Sequence, residues 1–78
     1  MFYVYILKDE TGRKYIGCTF DLKNRIAEHN AGETKSTKNR GRQSLVWYGC
    51  FPSRKLAYDF ESYLKSSSGH AFTRKHLI

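Results

Sequence analysis

Two short stretches, YVYIL at residues 3–7 and KYIG at residues 14–17, decide the expected fold. Residues 2–7 are apolar at every position and rich in aromatic and β-branched types, which is typical of a strand covered on both faces. A polar connector with one glycine follows, and strand character then returns. The sequence therefore predicts a hairpin that places Tyr5 and Tyr15 on paired strands, with Tyr5 directed inward. Whether the two side chains share a face depends on register, which the sequence leaves open.

A helix is predicted after the hairpin, in DLKNRIAEHNAG. Asp21 is a suitable N-cap, and Gly32 can end the helix after two to three turns. Arg25 and His29 are four residues apart, so they lie one turn above the other, on a stripe that adjoins the apolar side of the helix. We expect this stripe to meet the edge of the sheet.

The second half of the chain predicts one more strand and one or two helices. Residues 33–44 form a basic connector without a large apolar side chain, and residues 45–51 have the composition of a third strand. A second helix is expected at residues 54–65, where Leu56, Ala57, Phe60 and Leu64 recur at helical spacing. The run SSSG should break this helix before a short basic terminal helix at residues 71–78. The predicted class is α/β (α+β), a small three-stranded sheet flanked by helices in the order β-β-α-β-α with a possible final α.

Length and charge restrict the kind of protein. The 78 residues are expected to form one domain, residues 1–78, and the formal net charge of +7 favours a polyanion such as nucleic acid. An anionic membrane surface is the competing partner. No stretch approaches a membrane span, and the start lacks a basic leader and a cleavage site, so we expect a cytoplasmic protein. Cys18 and Cys50 are isolated, and we expect both to be small apolar fillers.

Several motifs together resemble the GIY-YIG endonucleases. The YVY at residues 3–5 stands where that family has its first signature, and the YIG at residues 15–17 matches the second. Arg25 and His29 follow in a helix similar to the family's arginine helix, and Glu61 falls where the family has its metal-binding glutamate. The likeness covers nearly the whole chain and is strongest to the compact single-domain branch, which resembles the nuclease domain of bacterial excision-repair enzymes.

The resemblance implies a metal-dependent DNA endonuclease in which activated water attacks the phosphodiester. Tyr15 would be the general base, and Tyr5 would orient the site by hydrogen bonding. Arg25 would stabilise charge on the phosphate, and His29 would assist Tyr15 or the water. Glu61 would hold one divalent metal, Mg²⁺ or Mn²⁺, on the side of the leaving group. One carboxylate suits Mg²⁺ with retained waters better than a two-metal site.

The expected nucleic-acid contacts lie in the connector before the third strand. Flexible basic side chains beside Arg25 would hold a DNA backbone, and the candidates are Lys35, Lys38, Arg40 and Arg42. The same run can equally be a solubilising loop. A separate targeting protein is a possible further partner, and we expect a monomer or a weak dimer.

Ordinary structural roles remain open for the same residues. Tyrosines in small sheets are usually core residues with a satisfied hydroxyl, and Glu61 can simply pair with Lys65 one helical turn later. The alternative function is therefore a catalytically weak nucleic-acid-binding module of the same fold. A role at a membrane surface ranks third, because neither helix combines a basic face with a broad aromatic one.

Overall fold

The computed structural model describes residues 1–32 and 41–77 and confirms the predicted order of elements. These are β1 (Phe2–Lys8), β2 (Lys14–Thr19), α1 (Leu22–Asn30), β3 (Ser44–Phe51), α2 (Arg54–Leu64), α3 (Ser67–Phe72) and a final π-helical turn (Thr73–Leu77). None of the helices in the described part of the chain has the length and apolar character needed to cross a bilayer.

The three strands form one antiparallel sheet in the order β2-β1-β3, so the apolar strand β1 is central. In the β1–β2 register Tyr5 lies opposite Gly17, and Leu7 lies opposite Tyr15. Alternate residues of a strand point to the same side, so Tyr5 and Tyr15 share one face of the sheet as diagonal neighbours. We call this the site face, and the opposite side, which carries Val4 and Ile6, the core face.

The β1–β2 hairpin is closed by the side chain of Asp9. Its Oδ1 accepts hydrogen bonds from the backbone N–H groups of Thr11 and Arg13, both at 2.9 Å, and from the Thr11 hydroxyl at 2.6 Å. Gly12 has a φ of +91°, which glycine adopts without a steric cost. These contacts determine the connection that sets the register of the two tyrosine strands.

The hydrophobic core lies between the core face and α2. Val4 and Ile6 pack with Ala57 and Leu64, and all four are buried. The partly buried side chains around them come from all three strands and the C-terminal helices: Phe2, Ile16, Cys18, Val46, Trp47, Phe51, Phe60, Phe72 and Leu77. A sheet has two faces and α2 packs on only one of them, so another element can pack on the site face.

Two expectations about individual side chains were wrong. Leu56 is exposed, because Ala57, Phe60 and Leu64 define the helix face that meets the sheet and Leu56 lies to one side of it. Cys50 is also exposed, since it lies opposite Tyr3 on the edge strand β3 and therefore points away from the core face. Cys18 is half-buried against the core, as expected.

The C-terminal helix begins earlier than expected. Ser66 is its N-cap, with the side-chain oxygen accepting a hydrogen bond from the Gly69 N–H at 3.1 Å, so the serine run starts a helix as well as ending one. Gly69 is buried where α3 crosses the end of α2. A Cβ at this position would overlap the carbonyl oxygen of Tyr63 and lie 2.5 Å from the Leu64 Cα. Only glycine permits this approach of two backbones.

We expect Gly69→Ala to lower the free energy of unfolding by about 2 kcal/mol or more, since the overlap involves backbone atoms and outweighs the gain in helix propensity of up to about 1 kcal/mol. Urea denaturation followed by circular dichroism measures the change. Ser68→Ala, an exposed change in the same helix, is the matched control and should stay within about 0.5 kcal/mol of wild type. Equal stability of the two variants would contradict the tight α2–α3 contact.

Candidate active site

Three rings from three different elements meet on the site face. Tyr5 comes from β1, Tyr15 from β2 and His29 from α1. Their ring centroids are 6.2 Å apart for Tyr5 and Tyr15, 5.9 Å for Tyr5 and His29, and 4.8 Å for Tyr15 and His29. Tyr5 and His29 are buried, whereas Tyr15 keeps part of its surface in solvent. We call this group the three-ring cluster, and it joins both tyrosine motifs to the first helix.

The histidine reaches the cluster because of how α1 begins and ends. The Asp21 carboxylate accepts a hydrogen bond from the Asn24 N–H at 3.2 Å, which fixes the first turn. Gly32 follows the last turn with a φ of +76°. His29 is only 2% exposed, whereas Ile26 on the apolar side is half-buried. The helix therefore packs on the sheet through the stripe that carries His29. The sequence analysis expected this stripe to adjoin the apolar side of the helix, not to be the most buried part of it.

Gly17 makes room for Tyr5. A Cβ on Gly17 would overlap the Tyr5 hydroxyl, lie 2.5 Å from the Tyr5 Cζ and come within 3.0 Å of the Tyr15 ring. Any other residue here would displace the phenol from its position over β2. This is the physical reason for glycine in the second motif, a role that sequence analysis did not assign.

The Tyr5 hydroxyl is held by two polar partners. Its oxygen lies 3.0 Å from Nε2 of His29, and the Arg25 guanidinium is near enough to lower its pKa. A guanidinium only donates, so the Tyr5 oxygen is the acceptor toward Arg25. The direction of the hydrogen bond between Tyr5 and His29 is set by the tautomer of the imidazole.

Burial determines how these groups ionise. It raises the pKa of Tyr5 to about 12, and the opposing effect of the Arg25 hydrogen bond is smaller. Burial also lowers the pKa of His29, with a further contribution from the nearby Arg25 charge. Near pH 7 the Tyr5 phenol is therefore neutral and the folded state disfavours the imidazolium, which agrees with a hydrogen bond between two neutral rings.

Arg25 has a second partner, which sequence analysis missed. Its Nη1 lies 3.0 Å from Oε1 of Glu28, one turn along α1, and both side chains are more than one third exposed. Interaction of the donating guanidinium with the oxygens of Tyr5 and Glu28 raises the pKa of Arg25, which stays charged. The i,i+3 spacing of Arg25 and Glu28 in the sequence was the clue to this pair.

Glu61 lies near enough to the three-ring cluster for its charge to act on Tyr5. It is on α2, which packs on the core face. Burial is the main reason why the pKa values of Tyr5 on β1 and Cys18 on β2 are raised, and the negative charge of Glu61 raises both further. Its side chain is 15% exposed, and its Oε2 lies 3.1 Å from Nζ of Lys65. Glu61 therefore pairs with Lys65 and at the same time lies near the candidate site.

The donor set of the site fits a metal that keeps most of its waters. Within residues 1–32 and 41–77, no three His, Cys, Asp or Glu side chains gather as a metal-binding group. Glu61 would then be a single carboxylate ligand, with one oxygen engaged by Lys65. Mg²⁺ is commonly held by one or two carboxylates and several waters, so the residue present is compatible with it.

Of the four residues predicted to contact nucleic acid, the structure describes one. Lys35, Lys38 and Arg40 lie outside the described residues. Arg42 is exposed just before β3. Next to it, the backbone N–H of buried Gln43 donates to Oδ1 of Asn30 at 2.8 Å, which ties the start of β3 to the end of α1.

Comparison with known proteins finds close relatives. A family model described as the GIY-YIG catalytic domain matches residues 1–75. A UPF0213 protein of Haloquadratum walsbyi is 42% identical over 65 residues, covering 82% of this chain and 73% of the relative. A UPF0213 protein of Streptococcus pyogenes is 41% identical over 64 residues, covering 81% of this chain and 70% of the relative. The solution NMR structure of a UPF0213 protein from Bacillus halodurans is 35% identical, with a TM-score of 0.59 over 96% of this chain and 84% of that one.

We expect Gly17→Ala to destabilise the fold by about 1–3 kcal/mol, because the new methyl group must push the Tyr5 phenol away from His29. A double-mutant cycle with Tyr5→Phe, measured by urea denaturation, tests the cause. The cost of Gly17→Ala should be smaller once the hydroxyl is absent, since that is the atom nearest to the added Cβ. Strictly additive effects would argue against this contact.

We expect acid to destabilise the protein in part through His29. The unfolded chain protonates this histidine near pH 6.5, whereas the lowered pKa delays protonation in the folded state. Its contribution to stability is therefore complete above pH 6.5 and is lost as the pH falls through the folded pKa, by at most about 1.4 kcal/mol per pH unit. Urea denaturation between pH 5 and 8 should show a shallower decline for His29→Gln, while the exposed control His70→Gln keeps the wild-type slope.

Proposed function

The chain belongs to the GIY-YIG family, and on that premise we propose that it is a metal-dependent DNA endonuclease that hydrolyses phosphodiester bonds. The observation that carries the proposal is the Tyr5 hydroxyl held between His29 and Arg25, beside the partly exposed Tyr15 ring. Packing of a small sheet does not require a phenol, an imidazole and a guanidinium at one place. The family supports a nuclease-type function, and the proposal adds the metal, the residue roles and DNA as substrate.

The two tyrosines have different parts in this mechanism. Tyr5 has a pKa of about 12, so it remains protonated and serves to orient Arg25 and His29. Tyr15 is the general base, which its partial exposure supports, since a base must reach solvent and substrate. His29 packs against the Tyr15 ring at 4.8 Å and keeps it in position.

The reaction is a direct displacement at phosphorus. The oxygen of an attacking water forms a bond to phosphorus, and its proton passes to the phenolate form of Tyr15. The bond from phosphorus to the leaving oxygen breaks, and the released alkoxide takes up a proton from solvent. Arg25 donates to the non-bridging oxygens, where negative charge develops. To do so it must give up its contact with Glu28 or share it, which makes Glu28 a group that positions the guanidinium before DNA arrives.

Glu61 would hold the divalent metal, Mg²⁺ or Mn²⁺. The cation would supply Lewis-acid stabilisation of the charge on the leaving oxygen. In the absence of metal, Lys65 balances the Glu61 carboxylate, as their 3.1 Å pairing supports.

DNA is held mainly through its phosphates. The net charge of +7 supports a polyanionic partner, and the proposed contacts are Lys35, Lys38, Arg40 and Arg42. Because these contacts carry no base identity, selection of a cleavage site would require a further feature of the protein or a separate targeting protein.

The test is cleavage of labelled single-stranded, duplex and branched DNA by purified protein with Mg²⁺, Mn²⁺ or chelator. We expect metal-dependent cutting that Tyr15→Phe lowers by about 10²–10⁴-fold, the range for loss of a general base. Glu61→Ala should abolish the metal dependence and most of the rate. Asp59→Ala, which removes an exposed carboxylate from the same helix, is the matched control and should cut like wild type.

Two results would contradict the proposal. Binding of DNA without cutting under any metal would favour the nucleic-acid-binding module, in which Glu61→Ala leaves the affinity unchanged or slightly higher. Cutting by Tyr15→Phe at the wild-type rate would remove Tyr15 from the mechanism. Tyr63→Phe, a matched tyrosine change on α2, controls for unspecific effects.

A further inference from the structure

A cavity of about 390 Å³ opens beside the three-ring cluster, between the starts of α1 and α2. Arg25 belongs to both places, because it lines the cavity and its guanidinium acts on the Tyr5 hydroxyl. Cys18, whose thiol lies within reach of the Glu61 charge, forms another part of the wall. A phosphate held by Arg25 would therefore have this cavity as its immediate neighbour.

Two exposed aromatic rings line this cavity. Phe20 is 73% exposed and Tyr58 is 52% exposed, and in the part of the chain that the structure describes neither ring packs against another aromatic ring. Exposing so much apolar ring surface stabilises nothing in the fold. The two rings come from different elements, the β2–α1 junction and α2, so their shared position is a product of the tertiary fold.

The usual structural role of Phe20 is not available to it. An apolar residue just before the N-cap of a helix commonly packs against an apolar residue at the fourth helical position. Asp21 is the N-cap of α1, and the fourth helical position is Arg25, which is engaged with Tyr5 and Glu28. The phenylalanine therefore does not secure the start of the helix and leaves its ring surface available.

The remaining wall carries charges of both signs, because the carboxylates of Asp21 and Glu28 line it together with a second arginine. Arg54 lines the cavity opposite α1, and its Cζ lies 5.5 Å from the centroid of the Phe2 ring, which holds the guanidinium in place. Exposed rings combined with guanidinium groups are the arrangement by which proteins hold single-stranded nucleic acid, with bases stacked on rings and phosphates on cations.

We propose that this cavity is a nucleobase subsite, in which a base next to the scissile phosphate stacks on Phe20 and Tyr58 while Arg54 contacts the adjoining phosphate. The inference rests on the proposed nuclease function, because the scissile phosphate defines which base enters. A base in a duplex has both faces covered by its neighbours, so only an unpaired base can enter without the cost of unstacking. The subsite therefore directs the protein to single-stranded or locally unpaired DNA.

Binding measured without cleavage tests the subsite separately from the nuclease. Fluorescence anisotropy in chelator uses a fluorescein-labelled single-stranded DNA of about 15 nucleotides, the corresponding duplex and the corresponding RNA. We expect Phe20→Ala and Tyr58→Ala each to weaken single-strand binding roughly tenfold and duplex binding less than about twofold. Leu56→Ala is the matched control, because Leu56 is 50% exposed and lies on α2 like Tyr58 but outside this cavity.

A spectroscopic readout distinguishes stacking from a structural effect. The same single strand carrying one 2-aminopurine is moved through its positions, and the fluorescence of the stacked position should be quenched by wild type and not by Phe20→Ala. Thermal melting of the variants should match wild type, since both rings are exposed.

The outcomes separate the two proposals. Quenching and tenfold weaker binding by the variants, without cleavage by wild type, would support the subsite and count against the nuclease. Cleavage with unchanged binding by both variants would overturn the subsite. Equal losses for single strand and duplex, or an equal loss for Leu56→Ala, would overturn it too. Stronger quenching in the RNA than in the DNA would keep the base pocket and overturn DNA as its ligand.

Discussion

The position of the Tyr5 phenol over the backbone of Gly17 is the constraint on which the rest of the site depends. Gly17 lies opposite Tyr5 in the β1–β2 register, and the absence of a side chain there lets the phenol cross the edge strand. The hydroxyl then reaches His29 and Arg25 on α1. One glycine therefore links the two tyrosine motifs with the first helix, and all three elements must be in register for the hydrogen bonds to form.

The same arrangement gives the small sheet two different faces. The core face is covered by α2 through aliphatic and aromatic packing. The site face is covered at its centre by α1 through polar rings, with His29 as the buried residue of that helix. A polar cover tolerates less misplacement than an apolar one, because a buried phenol or imidazole without its partner is costly. Stability and the geometry of the site are thus coupled on this side of the molecule.

Much of this was visible in the sequence, for identifiable reasons. The hairpin, the two capped helices and the core positions Ala57, Phe60 and Leu64 follow from local patterns of turn residues and helical spacing. Burial of Tyr5 was also predicted from its wholly apolar strand.

Other features depend on how elements approach one another, which local patterns do not encode. The shared face of Tyr5 and Tyr15 required the register, and the role of Gly69 required the crossing of α2 and α3. The start of α3 at Ser67 was missed because serine both ends and caps helices. Phe20 and Tyr58 gave no sign in the sequence that they share a cavity, since they belong to elements distant along the chain.

The Asp9 turn has a consequence for how the molecule assembles. It joins β1 and β2 through a short connection stabilised by three hydrogen bonds to one carboxylate oxygen. By contrast, the pairing of β3 with β1 closes a much longer segment of the chain, from Lys8 to Ser44, which includes β2 and α1. Loop-closure entropy favours the local pairing, and isolated hairpins form within microseconds. The two tyrosines thus come together in the most local part of the sheet, and we expect their strands to pair before the third strand completes it.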